Sequence, residues 1–266
     1  GSTNKKAKKL AWVHCDLRKI TDDPKGFAGK TKFWYEKFDK VICVSKNVRE
    51  GFTELFGNIP ESVVIYNTID DKEIIEKSSA PLPHGIEKKK LTLLMVGRLM
   101  PQKNYPRLLK TAKTLLNEGF VFDLWILGEG EDRPKLENYI KDNNLTENIK
   151  LLGFQNNPYP FIKSADLLVC SSDTEGFSTF VTEGLILGKP IVTTDCGGMD
   201  ELLGNNEYGI ITDNNDEAFL NGLRKMLSDT DSLNSYTEKA KIRGQRFSKE
   251  MLTEQTQNLF YEILDM

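Results

Sequence analysis

Two carboxylates stand eight positions apart in Ser171-Ser-Asp-Thr-Glu175-Gly-Phe-Ser-Thr-Phe-Val-Thr-Glu183, across what reads as a strand-to-helix turn. Asp166-Leu-Leu-Val-Cys170 is an apolar run of strand type, and Phe180-Val-Thr-Glu-Gly-Leu-Ile-Leu187 is an almost wholly apolar helix that must be buried. On one continuous helix the two acids would point about 80° apart. Glu175 therefore reads as a loop acid and Glu183 as a helix acid. A buried, ionised carboxylate needs hydrogen-bond donors, and the diol of a ribose or sugar supplies them. An exposed pair, or a bridge from Glu183 to Lys189, is the plainer alternative.

Other strand ends carry complementary groups. Met95-Val-Gly97-Arg98-Leu-Met-Pro-Gln-Lys103 closes a strand with glycine and sets two cations before a helix. A planar guanidinium and a mobile ammonium suit a diphosphate, although both side chains also suit an ordinary surface loop. Leu124-Trp-Ile-Leu-Gly128-Glu-Gly130 has the first two glycines of a dinucleotide fingerprint, but Arg133 stands where the third belongs. These glycines read as a tight turn that lets a ligand approach the backbone. Gly153-Phe154 lays backbone against a flat base, or is a core phenylalanine beside a turn. The amides of Ser178, Thr179 and Phe180 open a helix and present free N–H groups to an anion. Thr194-Asp195-Cys-Gly-Gly198-Met-Asp200-Glu201 is a second glycine turn with acids, readable as a capping device or a pocket floor. Asp229-Thr230-Asp231 has cation-binding spacing but follows a helix, so it reads as a polar turn with an N-cap. No other cluster has metal-ligand spacing, and no metal or cofactor is expected. His84 reads as a solvated linker residue.

The elements that must position these groups alternate regularly. Strand runs near 91–96, 122–127, 149–152, 166–170 and 190–194 are separated by helical patterns near 105–117, 132–143, 180–187 and 215–228. Such alternation predicts a parallel sheet covered on both faces, with ligands at the carboxyl ends of its strands. A smaller α/β unit precedes it, with strands at 10–14, 41–45 and 62–66 and helices near 26–38 and 46–56. The sequence turns polar from Asp70 to Lys90 and includes Ser78-Ser-Ala-Pro-Leu-Pro-His-Gly85, as a linker does. The expected division is 1–75, a linker at 76–90, a Rossmann-like unit at 91–247, and an amphipathic helix at 248–266 with Ser248 as N-cap, returning to the first unit.

The 266 residues carry 39% hydrophobic content and a net charge of −3, which gives no electrostatic pull toward nucleic acid. Four scattered cysteines, with no C-x-x-C pair, read as reduced thiols of a cytoplasmic protein. No run is long enough to span a bilayer and no signal peptide opens the chain. Gly1-Ser2 reads as a cleavage scar. The basic segment Lys5-Lys-Ala-Lys-Lys9 reads as a solvated end, or as a contact with anionic lipid at the inner face of the plasma membrane.

Together these strand ends resemble family 4 of the retaining glycosyltransferases, which have the two-domain GT-B fold. The resemblance rests on E-G-F-S-x-x-x-x-E from Glu175 to Glu183, on Gly97-Arg98 with Lys103, on Gly128-Glu-Gly130 and on Gly153-Phe154. It rests also on Gly188-Lys-Pro-Ile-Val-Thr-Thr-Asp-Cys-Gly-Gly198. Val41-Ile-Cys-Val-Ser45 and Val63-Val-Ile-Tyr-Asn67-Thr-Ile-Asp70 are similar to the end of that family's first domain. The resemblance implies that Glu175 contacts the transferred sugar, Glu183 holds the ribose, and Arg98 and Lys103 hold the diphosphate. Amides near Phe177, Ser178 and Thr179 complete the phosphate cradle, Phe154 lies by the base, and His14 faces the reacting sugar. No external base is needed, because the departing diphosphate helps deprotonate the acceptor. The implied donor is a nucleotide-diphosphate sugar, most commonly of uridine, and the acceptor a glycan or lipid-linked sugar. The first unit is short for this family, so the front of the first domain reads as absent. That leaves a non-catalytic nucleotide-sugar-binding module as the alternative. A nicotinamide-dependent enzyme is disfavoured by the incomplete fingerprint.

Overall fold

The computed structural model describes residues 7–58 and 60–265. Gly1, Ser2, Lys5 and Lys6 lie outside them. Of the remaining basic segment, the Lys9 amide donates to Asp39 Oδ2 at 2.7 Å and Lys8 pairs with Asp39 at 3.8 Å.

The first unit comprises β1 (Leu10–Val13), α1 (Pro24–Tyr35), β2 (Lys40–Cys43), α2 (Lys46–Phe56) and β3 (Ser62–Val64), and its strands form a parallel sheet in the order β1-β2-β3. Next comes α3 (Asp71–Lys77), in the polar stretch from Asp70 to Lys90 and reaching the start of the linker expected at 76–90. It forms because Asp70 caps it, accepting from the Glu73 amide at 3.0 Å, and because Ile74 is buried. One apolar residue per turn gives too faint a periodicity to see in the sequence. Leu82 and Ile86 also pack onto the core, so the polar connection is anchored.

The second unit runs β4 (Thr92–Val96), α4 (Tyr105–Asn117), β5 (Asp123–Leu127), α5 (Arg133–Asp142), β6 (Ile149–Gly153), α6 (Tyr159–Ser164), β7 (Leu167–Cys170), α7 (Thr179–Ile186), β8 (Ile191–Thr194), α8 (Met199–Leu203), β9 (Ile210–Thr212) and α9 (Asp216–Ser228). Two more helices follow, α10 (Thr230–Gly244) and α11 (Lys249–Asp265). All six strands are parallel, in the order β6-β5-β4-β7-β8-β9. Chain order reverses between β4 and β7, which opens a crevice at their carboxyl ends. Alternate residues serve opposite faces. Leu94 and Trp125 join the core shared with the first sheet, whereas Leu93, Met95 and Ile126 join the core under α4 and α9. Leu259 and Ile263 of α11 pack against Ile42 and Ile65 of the first unit.

The seam between the sheets is polar as well as apolar. Glu201 of α8 accepts from the Lys46 amide at 2.8 and 2.9 Å, from the Asn47 amide at 3.3 Å, and from the Tyr66 hydroxyl at 2.9 Å. A carboxylate of the second unit thus caps α2 of the first. Burial, then the Glu201 charge, pushes the Tyr66 phenol well above its usual range. Tyr66 also stacks on Phe177 with ring centroids 4.7 Å apart. Glu201→Ala strips the cap and the phenol's acceptor together, at an expected cost of about 2 kcal/mol. Thermal unfolding reads this, and an unchanged midpoint would contradict the seam's contribution.

Candidate functional site

A cavity of ≈ 760 Å³ lies at the crevice between the ends of β4 and β7. That is the volume of a site for a ligand of nucleotide size. Its walls come from the ends of four strands. The turn after β4 supplies Gly97, Arg98, Gln102 and Lys103, and the β5 and β6 ends supply Gly128, Glu129 and Phe154. The turn after β7 and the start of α7 supply Glu175, Phe177, Ser178, Thr179 and Glu183.

These loops are fitted backbone to backbone. Gly128 has φ +134°, and a Cβ there would sit 1.9 Å from the Gly97 carbonyl oxygen. The open side of Gly128 is therefore taken up by the neighbouring loop, as a tight turn between two strand ends requires, while Gly128 also lines the cavity. The β4 and β5 loops continue their pairing past the strands, with the Leu99 amide donating to Glu129 O at 2.9 Å and the Asp132 amide to Leu99 O at 3.0 Å. Gly176 marks a second close approach, since its Cβ would lie 2.0 Å from the His14 carbonyl oxygen. His14 follows β1, is exposed, and is not among the cavity's lining residues.

The two acids are held in different ways. Glu175 is 9% exposed, and its Oε1 accepts from Lys103 Nζ at 2.6 Å and from Ser172 Oγ at 2.7 Å. Glu183 is half-buried in α7 and has one long hydrogen bond, from the Tyr159 hydroxyl at 3.4 Å. Burial outweighs that bond and pushes the Glu183 carboxyl up to about 7. A buried carboxylate stays ionised only where donors meet it, and here a single long one does. Lys189 does not bridge to it, because its ammonium donates to Ala165 O at 2.9 Å. The Tyr159 phenol is itself pushed up to about 12 by burial and then by Glu183.

Arg98 is exposed at the cavity wall, and among the described residues it has neither an ion pair nor a side-chain hydrogen bond. Phe154 is 70% exposed, so it is a cavity wall and not a core residue. The Phe177 ring, in contrast, is buried at the seam between Tyr66 and Phe247. Ser178 Oγ caps α7, accepting from the Val181 amide at 3.4 Å. The amides at the start of α7 are thereby set at the cavity edge.

Arg107 and Asn214, which sequence reasoning passed over, lock the cavity loops together. Arg107 is 6% exposed, and its Nη1 donates to Ser171 O at 3.2 Å and to Asn214 Oδ1 at 2.6 Å. Asn214 Nδ2 in turn donates to Asp173 O at 3.0 Å and Asp195 O at 3.2 Å. Ser171 Oγ donates to Lys103 O at 2.9 Å, and Gln102 Nε2 to Thr174 O at 2.7 Å. The loops bearing Lys103 and Glu175 are thus one preorganised unit. A buried arginine on a helix carries no sequence mark that separates it from a solvated one.

Glu201, expected as a cap or a pocket floor, caps a helix of the other unit. Asp229 caps α10, accepting from the amides of Asp231 at 3.0 Å and Ser232 at 3.1 Å. Among the described residues no group of three or more His, Cys, Asp or Glu side chains is arranged to hold a metal ion. None of their helices is long and apolar enough to cross a membrane.

The family described as glycosyl transferases, group 1, matches residues 76–243. An N-acetylgalactosamine-N,N'-diacetylbacillosaminyl-diphospho-undecaprenol 4-alpha-N-acetylgalactosaminyltransferase of Campylobacter jejuni is 34% identical over 218 residues, or 81% of this chain and 58% of that protein. A UDP-Gal:alpha-D-GlcNAc-diphosphoundecaprenol alpha-1,3-galactosyltransferase of Escherichia coli is 30% identical over 72% of this chain and 49% of its own length. The chain thus spans 58% and 49% of these two relatives. Among solved structures, Anabaena HepE in complex with UDP superposes with a TM-score of 0.80 at 19% identity, covering 97% of this chain and 73% of that one. The architecture is therefore that of the GT-B glycosyltransferases.

Proposed function

The chain belongs to the group 1 glycosyl transferases, and from that premise we propose that its cavity takes a nucleotide-diphosphate sugar, with uridine the favoured base. The whole protein then moves the sugar, a hexose or N-acetylhexosamine, onto a glycan or lipid-linked acceptor with retained configuration, as family 4 enzymes do. Cell-surface polysaccharide synthesis is the setting the reading favours, since both relatives are named for undecaprenyl-linked acceptors. The observation that carries the proposal is the division of charge in one cavity. Arg98, unpaired among the described residues, and a Lys103 held by Glu175 flank the α7 amides, while a donor-poor Glu183 stands on the same helix.

In this reading Arg98, Lys103 and the amides meet the diphosphate, stabilising the charge that grows as it departs. That supplies positive charge without a metal ion. Phe154 offers a face to the base, and Glu183 accepts from the ribose hydroxyls. Glu175 meets the sugar. Peripheral contact with an anionic membrane belongs to the same proposal. In its support, α1 exposes Phe33 and Trp34, with the Lys37 ammonium 3.7 and 4.4 Å from their ring centroids.

A thermal-shift panel of nucleotide sugars identifies the donor, because a ligand at 100 times its Kd adds about 2.7 kcal/mol. A panel without any shift would overturn the proposal. Glu183 adds a pH signature. Ribose hydroxyls favour its ionised form, so nucleotide affinity is expected to fall as pH drops below about 7, by up to about tenfold per pH unit. Its effect on stability has the opposite sense. The raised carboxyl favours the folded state most below the ordinary carboxylate range, and this contribution is lost as pH rises through about 7. Glu183→Gln is expected to bind more weakly with a flattened pH profile; an unchanged profile in calorimetry would remove Glu183 from the ribose.

A further inference from the structure

We propose that Glu175 also sorts the sugar-bearing donor from the spent nucleoside diphosphate, holding Lys103 in the empty site and reclaiming it as the product leaves. The inference rests on the donor-site reading above. Its basis is the unequal state of the two cavity cations. Arg98 is uncommitted among the described residues, whereas the Lys103 ammonium is bonded to Glu175 Oε1 at 2.6 Å, with side chains only 20% and 10% exposed. Ser172 Oγ fixes the same oxygen at 2.7 Å, and Ser172 is itself fully buried, so the carboxylate is anchored and the lysine is what can move.

A diphosphate that needs Lys103 must therefore share an ammonium with a carboxylate, or draw it away. For the intact donor this is tolerable, because sugar hydroxyls can donate to Glu175 in place of the lysine. Transfer then breaks the bond from the sugar C1 to the β-phosphate oxygen, and the electron pair stays on the phosphate. The acceptor oxygen bonds to C1, and its proton passes to the phosphate and on to water. The product has lost the sugar that covered Glu175 and carries a terminal phosphate with added negative charge. Glu175 and that phosphate are then like charges beside one lysine, and each disfavours the other. Reclaiming Lys103 loosens the product.

The test is calorimetry of UDP, with uridine as control. Glu175→Gln keeps the shape and removes the charge, so it is expected to bind UDP about tenfold more tightly than wild type, with uridine affinity unchanged. In the Lys103→Met background the same change is expected to give a smaller gain. Were Glu175 only an orienting partner for Lys103, the amide would bind UDP equally or less well, and that result overturns the proposal. Glu175→Ala makes the same comparison if the amide variant fails to fold. A wild-type protein that binds none of UDP, GDP and ADP overturns the donor-site reading itself, a failure distinct from tight wild-type binding with no gain in the variant.

Discussion

Arg98→Ala is expected to weaken nucleoside diphosphate binding roughly 10- to 100-fold, the usual worth of a charge-assisted contact to phosphate. The expectation follows from position. The guanidinium projects from the turn after β4 at the crevice where chain order reverses, and no carboxylate among the described residues competes for it. Its loss removes a contact to ligand without breaking one within the protein, so the unfolding midpoint should hardly move. Lys103→Ala behaves differently. It removes a cation but also frees Glu175 from its partner, leaving a buried acid supported by the Ser172 hydroxyl. A fall in affinity together with a fall in stability is expected, and calorimetry beside thermal unfolding separates the two variants. An Arg98→Ala protein that binds as wild type would displace the diphosphate from this turn.

Gly128→Ala has the largest expected effect on the fold. The new Cβ would meet the Gly97 carbonyl oxygen at 1.9 Å and its carbon at 2.8 Å, at a φ of +134° that L side chains avoid. Both contacts are to backbone, so no rotamer relieves them. A loss of about 3 kcal/mol or more is expected, read as a lower denaturation midpoint. Whatever folds should also bind nucleotide poorly, because Gly97 and Gly128 both line the cavity. Stability within about 0.5 kcal/mol of wild type would show that the loops can part at little cost.

The central sheet was legible because its strands are buried on both faces and so read as short unbroken apolar runs. Elements that pack through few or small residues were not. The helix α10 buries Ala240 and Gly244, and Gly244 lies so close to Leu185 that a Cβ would approach its carbonyl oxygen to 2.2 Å. Contact through a glycine leaves no apolar stripe, so only the polar turn and N-cap at Asp229-Thr230-Asp231 were read, and not the helix that follows. For the same reason α3, with Ile74 alone buried, was hidden in the polar stretch from Asp70, and β9 is only Ile210–Thr212.

Arg98, Lys103, Glu175 and Glu183 could be picked out because they are charged groups at strand ends or, for Glu183, in an apolar helix, where a buried charge needs a ligand or a partner. Their relations to one another were hidden. The pairing of Lys103 with Glu175 joins loops 72 positions apart. Arg107 and Asn214 lock those loops from 107 positions apart. Such separations carry no local periodicity. The close approach of the His14 carbonyl oxygen to Gly176 was hidden in the same way.

We propose the cavity between β4 and β7 as a nucleoside diphosphate site whose positive charge comes from the protein. Titration of the wild-type chain with UDP, GDP and ADP in excess chelator tests it most directly. Saturable one-to-one binding of at least one of them, undiminished by chelator and weakened in Arg98→Ala, is the predicted result; no binding of any, or binding that appears only when a divalent cation is restored, would contradict it.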